Sequence, residues 1–339
     1  MTSSFMLSSA VQGPLPPDNV SVFRRDAMNV LVVEVLFFGF YTCLFLVTMF
    51  VVWNSPPSVG VTAKDLEGKK SKVGQTYLLV TFYSLSALHV ALSWWFSAHM
   101  YQINGASPLL VLDFLEDQPI FFIVVEGLVL AFITTIADSI WVWKCWNLFE
   151  KKLLVVIFPM LCIATSVVMA IVTLVDRIQF TFGLMHATVD TAKGIARWQH
   201  ILIAYFAPSL ASTVYTTGMI MYQLLEFRGE LLKFKITRPS FSTTKVASVV
   251  VESALLYTIS HIITVGLLVH VSPKFNFPQG ILAQMAGISP SLLILRLHIG
   301  RYNEANRKIT TIQLSGLDFA AGGGGSLAEE DHADSQSVA

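Results

Sequence analysis

Long apolar runs separated by short polar stretches dominate this chain. Seven are long enough to cross a bilayer, whose hydrocarbon core of ~30 Å takes ~20 helical residues. They cover roughly Ala27–Trp53, Gln75–Tyr101, Ile120–Phe149, Leu153–Val175, His200–Leu225, Val246–Val271 and Gln279–Ile299. The fourth is free of charge from end to end, and the seventh is the shortest. The predicted fold class is an all-α membrane protein, a seven-transmembrane helix bundle. Five sizeable loops join the spans, together with the three-residue turn Glu150–Lys152, which makes the third and fourth spans antiparallel neighbours.

The third run is the one around which the others are expected to pack. Its thirty residues reach ~45 Å at ~1.5 Å each. It carries two carboxylates, Glu126 and Asp138, and ends in Trp141-Val142-Trp143-Lys144-Cys145-Trp146. An ionisable group at the middle of a bilayer costs ~2.5–3.5 kcal/mol on insertion scales. A span with two of them should face other helices or a wet cavity.

Lys and Arg set the orientation. With seven spans, fourteen fall on one side and six on the other. The fourteen lie in Asn54–Gly74, at Lys151 and Lys152, in Glu226–Lys245 and in the C-terminal tail. The positive-inside rule then puts the N-terminus outside and the C-terminus in the cytoplasm. Residues 1–26 form an extracellular tail, 27–300 the membrane domain, and 301–339 a cytoplasmic tail expected to be disordered because it is polar and contains Gly322–Gly325. The N-terminal tail has no basic region followed by an apolar run, so no cleaved signal is expected. One sequon, Asn19-Val20-Ser21, lies in it.

Composition agrees with this class: 54% of residues are hydrophobic and 13% charged, against about 25% charged in soluble domains. The formal net charge is zero, and no nucleic-acid partner is expected. Membrane lipids are the first partner implied, and multi-pass residence in the plasma membrane is the expected localisation. Cys43, Cys145 and Cys162 lie in or at the ends of spans, so no external disulfide is predicted.

Polar residues can then be ordered by depth. Towards the outer half come Glu34, Trp94, Trp95, His99, Glu126, His200, Tyr205 and His270. Of these, Glu34, Trp95, His99, Glu126 and Tyr205 are the candidate ligand-binding set, since a pocket needs an apolar lining with a few placed polar groups. Trp, Tyr and His at span ends also serve as interfacial anchors. Towards the inner half come Asp138, Lys144, Glu252 and Arg296, a candidate ionic cluster. Arg296 is expected to hold at least one carboxylate, as intramembrane charges pair to be tolerated. Pro208 and Pro290 are hinge candidates, because each removes a helix hydrogen bond. No phosphate loop, His-Glu-x-x-His metal pair or nucleophile–base pair is legible, and the seventh span has no Lys for a retinal Schiff base. No enzyme activity, metal or cofactor is expected.

Three stretches carry a family likeness. The third span has Asp138 followed by Trp143-Lys144-Cys145-Trp146, the sixth has Glu252-Ser253-Ala254-Leu255-Leu256-Tyr257, and the seventh has Gly287-Ile288-Ser289-Pro290-Ser291-Leu292, then Arg296 and Gly300. In this the chain resembles the large group of seven-span, receptor-like orphan proteins of mushroom-forming fungi. Lys144 stands where that group usually has Arg, which loses a bidentate contact. The likeness implies a seven-helix bundle, and by analogy of topology a role like that of a G-protein-coupled receptor. An external ligand would bind among the outer helix ends, and the basic loops would meet a partner such as a heterotrimeric G protein. The alternative reading is a proton-coupled transporter of a small solute. Intramembrane carboxylates and His suit a proton relay, but no internal repeat is visible.

Overall fold

The computed structural model describes residues 17–54, 64–103, 119–185, 191–233, 241–270 and 276–322. All of its regular structure among these residues is helical. Seven long helices follow in order: α1 (Pro17–Asn54), α2 (Lys64–Ala98), α3 (Ile120–Leu148), α4 (Leu154–Met185), α5 (Thr191–Lys233), α6 (Phe241–Val269) and α7 (Asn276–Gly322). A π-helical turn, His99–Ile103, continues α2.

Each helix packs on the next, and α7 returns to α1, so the seven close into a ring. The third helix also touches α5 and α7 in addition to its neighbours α2 and α4. It therefore holds the central place expected from its two acids. Between α3 and α4 the chain turns in a few residues: Lys151 N–H donates to the Trp146 carbonyl at 3.0 Å, and Lys152 N–H to Phe149 at 3.0 Å. Glu150 and Lys151 take positive φ values of 51° and 64° there.

The outside of this ring is apolar. Leu36, Phe40, Phe50, Leu154, Leu161 and Ile171 are all exposed, while Glu34, Asp138, Ser209, Thr213 and His261 are buried. A protein that hides acids and hydroxyls and presents Leu and Phe is sorted for a hydrocarbon solvent. Six helices are long and apolar enough to cross a membrane, within Met28–Asn54, Lys72–Tyr101, Ile120–Leu148, Leu154–Gln179, Glu252–Val269 and Phe277–Gly300. This is a multi-pass, membrane-embedded helical protein.

The fifth helix is not among those six. Its inward positions 209, 212, 213, 216 and 217 are all Ser or Thr and all buried, a stripe at i, i+3, i+4, i+7 and i+8. Their hydroxyls are satisfied in part by the helix itself, as Thr213 donates to the Ser209 carbonyl at 2.7 Å and Thr216 to Ser212 at 2.9 Å. The polar stripe lowers the hydropathy of a helix that nonetheless packs fully between α4 and α6.

Several expected boundaries move. α1 begins at Pro17, so the stretch taken as a tail to residue 26 is helical in its last part. Asn19 lies in that first part of α1, and its side chain falls outside the described residues. α4 runs on past Val175 to Met185, because Asp176 and Arg177 find partners and do not end it. The segment taken as the loop Glu226–Lys245 is largely the ends of α5 and α6, with 234–240 outside the described residues. α7 continues to Gly322, so disorder from residue 301 is corrected for its first part. Residues such as Ala305, Arg307, Lys308 and Leu314 are good helix formers, and a helix already under way needs no new nucleus. The Gly-rich run after Gly322 lies outside the described residues. α5 and α7 continue through Pro208 and Pro290, and α4 through Pro159.

Candidate functional site

At one end of the bundle a His–Glu hydrogen bond and two ion pairs tie helices together. His89 Nδ1 on α2 lies 2.5 Å from Glu34 Oε1 on α1, and the two side chains are only 6% and 3% exposed. Arg177 Nη1 on α4 lies 3.2 Å from Glu126 Oε2 on α3, again largely buried. Arg197 Nε on α5 lies 2.8 Å from Asp176 Oδ1 on α4, with Arg197 open to the outside. Glu34 also faces α7, where Gly280 leaves it room: a Cβ there would stand 3.7 Å from Glu34 Oε2. Beside this set Trp95 stacks on His99 with centroids 4.0 Å apart and meets Phe122 of α3 at 5.2 Å.

At the centre sits Asp138, buried on the inner face of α3. Ser209 of α5 donates to Oδ2, Thr213 of α5 to Oδ1 at 3.3 Å, and Tyr257 of α6 to Oδ1 at 3.1 Å. These hydroxyls from two helices replace the water that a carboxylate loses on burial, with Thr213 sharing its one proton between Oδ1 and the nearer Ser209 carbonyl at 2.7 Å. One turn earlier on α3, Thr134 pairs with Tyr205 of α5 at 2.9 Å. His261, one turn along α6 from Tyr257, is fully buried against Tyr257 and Phe206, and neither ring nitrogen has a hydrogen-bond partner among the described residues. Gln284 of α7 is likewise fully buried with its amide unpartnered.

At the opposite end Arg296 Nη1 of α7 contacts Glu252 Oε2 of α6. His298 Nε2 lies 2.8 Å from Gln75 Oε1 of α2.

The residues grouped from the sequence thus divide. Arg296 and Glu252 meet, but Asp138 does not join them, because its oxygens are turned to hydroxyls of α5 and α6. Lys144 stands over the Trp143 ring, 4.9 Å from its centroid. The ionic cluster of four is therefore one pair, one hydroxyl-bound acid and one cation on an aromatic face. The pair is also less buried than expected, with side chains 36% and 59% exposed. Removing one partner then costs about 1 kcal/mol or less, not the ~3–5 kcal/mol of a buried pair.

The outer set divides as well. Glu34, Glu126 and the Trp95–His99 stack each have their own partners. A cavity of about 310 Å³ between α3, α4 and α5 is lined by Tyr205 but by none of the other four. His89, Arg177, Asp176, Ser209, Thr213 and His261 are not candidate site residues on the sequence alone, and Tyr257 enters there only in the sixth-span stretch of the family likeness. The signal for Arg177 was Glu126 itself, an acid inside a span that requires a partner. Among the described residues no group of three or more His, Cys, Asp or Glu could hold a metal. Comparison with protein-family models, with curated proteins and with solved structures gives no match for this chain.

Proposed function

We propose that this protein is a seven-span, receptor-like protein of the plasma membrane, related to the fungal group it resembles. Its N-terminus lies outside, its C-terminus lies in the cytoplasm, and it has no catalytic role. The Glu34 end receives an external ligand, and the Arg296 end, beside most of the Lys and Arg residues, meets a cytoplasmic partner such as a heterotrimeric G protein. One observation carries the reading. The sixth helix is tied to α3 at mid-depth through Tyr257 and Asp138, and to α7 at its end through Glu252 and Arg296. A helix held at two levels by polar contacts is a two-position element that a ligand can bias, provided it binds the two positions unequally.

The test is nucleotide exchange on chimeric G proteins by purified protein without ligand. Arg296→Ala should raise basal exchange about 3- to 5-fold, in keeping with ~1 kcal/mol for a half-exposed pair. Glu252→Gln should do the same, and the two together no more than either alone. No exchange by the wild type or by either variant, across all chimeras, would reject the receptor reading. Epitope tags probed on intact cells test the orientation, and a C-terminal tag reached from outside would reverse it.

A proton-coupled carrier is the second reading. The buried Glu34–His89 pair and the unpartnered His261 favour it, since both are groups that a proton relay uses. Solute uptake by reconstituted protein, driven by a pH gradient and abolished by His261→Phe, would establish it.

A further inference from the structure

The cavity between α3, α4 and α5 touches the Glu34 end of the bundle through Arg177, and neither reading assigns an occupant to it. Its lining includes the small residues Gly127 and Ala131 on α3 and Ala170 on α4. Bulkier side chains at those positions would close it, and a Cβ on Gly127 would already stand 3.3 Å from Leu174 Cδ1. From Ile123 to Thr135 the slot follows α3 for twelve residue steps, which is about 18 Å. Its sides are stiff, with β-branched Val167 and Ile171 among them. Leu128, Phe132, Val167 and Ile171 line it and are also exposed on the outside of the bundle. The slot therefore opens sideways, at the depth of the spans, where the surrounding solvent is lipid.

One end of the slot is polar. Arg177 lines it there and is held by Glu126 at 3.2 Å, and the neighbouring Asp176 is held by Arg197. These four charges sum to zero. A carboxylate or phosphate head brought to Arg177 would meet Glu126 at close range and compete with it. An uncharged hydroxyl head fits better, because it can donate to a carboxylate oxygen and accept from the guanidinium without displacing either. A cavity about 18 Å long that opens to lipid, lined by small and β-branched residues and with a charge-neutral polar end at Arg177, suits a rigid apolar body with a single hydroxyl.

We propose that this slot is a binding site for a membrane sterol, with its hydroxyl at Arg177 and its ring body along Gly127, Ala131 and Ala170. The sterol enters from the bilayer and wedges α3, α4 and α5 together. The inference is independent of whether the protein signals or transports.

Photolabelling tests it. Purified full-length protein in nanodiscs is labelled with diazirine-bearing cholesterol, and the adducts are mapped by mass spectrometry. The expected result is labelling within 123–135 and 167–177, at least 5-fold reduced by excess unlabelled cholesterol and at least 5-fold reduced in Ala131→Phe and in Ala170→Phe. Both variants are first checked for an unchanged size-exclusion profile. If both misfold, competition on the wild type decides. A diazirine fatty acid and a diazirine phosphatidylcholine are run in parallel. Equal labelling of the slot by either, or sterol labelling that excess cholesterol does not compete or that maps elsewhere, would overturn the proposal.

Discussion

At Gly287 α7 packs tightly against Tyr41 of α1, and replacing it with Ala should loosen the ring at that contact. A Cβ there would lie 2.8 Å from Tyr41 Cζ and 2.9 Å from Cε1 and Oη, whereas ordinary contact begins at 3.4 Å. Tyr41 cannot swing away, since it is fully buried and edge-on to Tyr83 at 5.9 Å. Overpacking of this kind costs ~1–3 kcal/mol. Against it stands the gain of ~1 kcal/mol for replacing Gly by Ala inside a helix. The net expectation is a loss of up to about 2 kcal/mol, or an apparent Tm up to about 5 °C lower in detergent. Two controls make this specific. Gly266→Ala has nothing within 4 Å of the new Cβ and should raise Tm slightly. In a Tyr41→Leu background the ring is gone, so Gly287→Ala should change sign and stabilise by up to ~1 kcal/mol. Tyr41→Phe should not rescue, because Cζ remains. If Gly287→Ala stabilises as much as Gly266→Ala, or has the same effect with and without Tyr41→Leu, the close approach of α1 and α7 at this level is wrong.

Other expectations follow from single contacts. Arg177→Met should lower stability by removing the cation that Glu126 meets at 3.2 Å, and Glu126→Gln in that background should recover part of the loss; thermal shift of the double variant against the two singles reads this, and simple additivity would dissolve the pair. Tyr257→Phe should lower stability by ~1 kcal/mol and Asp138→Ala by more, because the latter strands hydroxyls on α5 as well as α6; equal losses would contradict the convergence on Asp138. Gln284→Leu should raise Tm, since it removes a buried amide without partners, and a fall would mean that the amide is satisfied. Lys151→Gly should stabilise by up to ~1 kcal/mol by relieving its left-handed backbone, to be checked by the same melting assay.

How far the residues announced this architecture depends on which kind of residue is considered. Two acids inside one run pointed to α3 as the central helix, because buried charge has few places to go in lipid. The short turn Glu150–Lys152 likewise forced the α3–α4 hairpin. Span ends were harder to read. A run of apolar residues ends at Asp176 and Arg177, yet a charge whose partner sits on another helix does not stop a helix, and Glu126 lies 51 residues from Arg177 while Arg197 lies 21 from Asp176. Asp138 shows the same difficulty from the opposite direction. Its depth near Glu252 and Arg296 suggested a cation, but the face it occupies looks at hydroxyls, and helical rotation relative to neighbours is set by packing that no single span encodes. Ser and Thr carry little weight in a search for charges, so the stripe on α5 that receives Asp138 went unnoticed.

That stripe has a consequence for biogenesis. A nascent helix that turns Ser209, Ser212, Thr213, Thr216 and Thr217 towards acyl chains, and that has no Asp176 for Arg197, partitions into the bilayer poorly on its own. α5 therefore depends on company at the translocon. Synthesis supplies it: α3, bearing Asp138, and α4, charge-free from Leu153 to Val175 and bearing Asp176, are both made first. The inserting unit is then the hairpin of α4 and α5 docked on α3, so a substitution that blocks that docking should show itself first as failed membrane integration of α5, before any effect on the finished bundle.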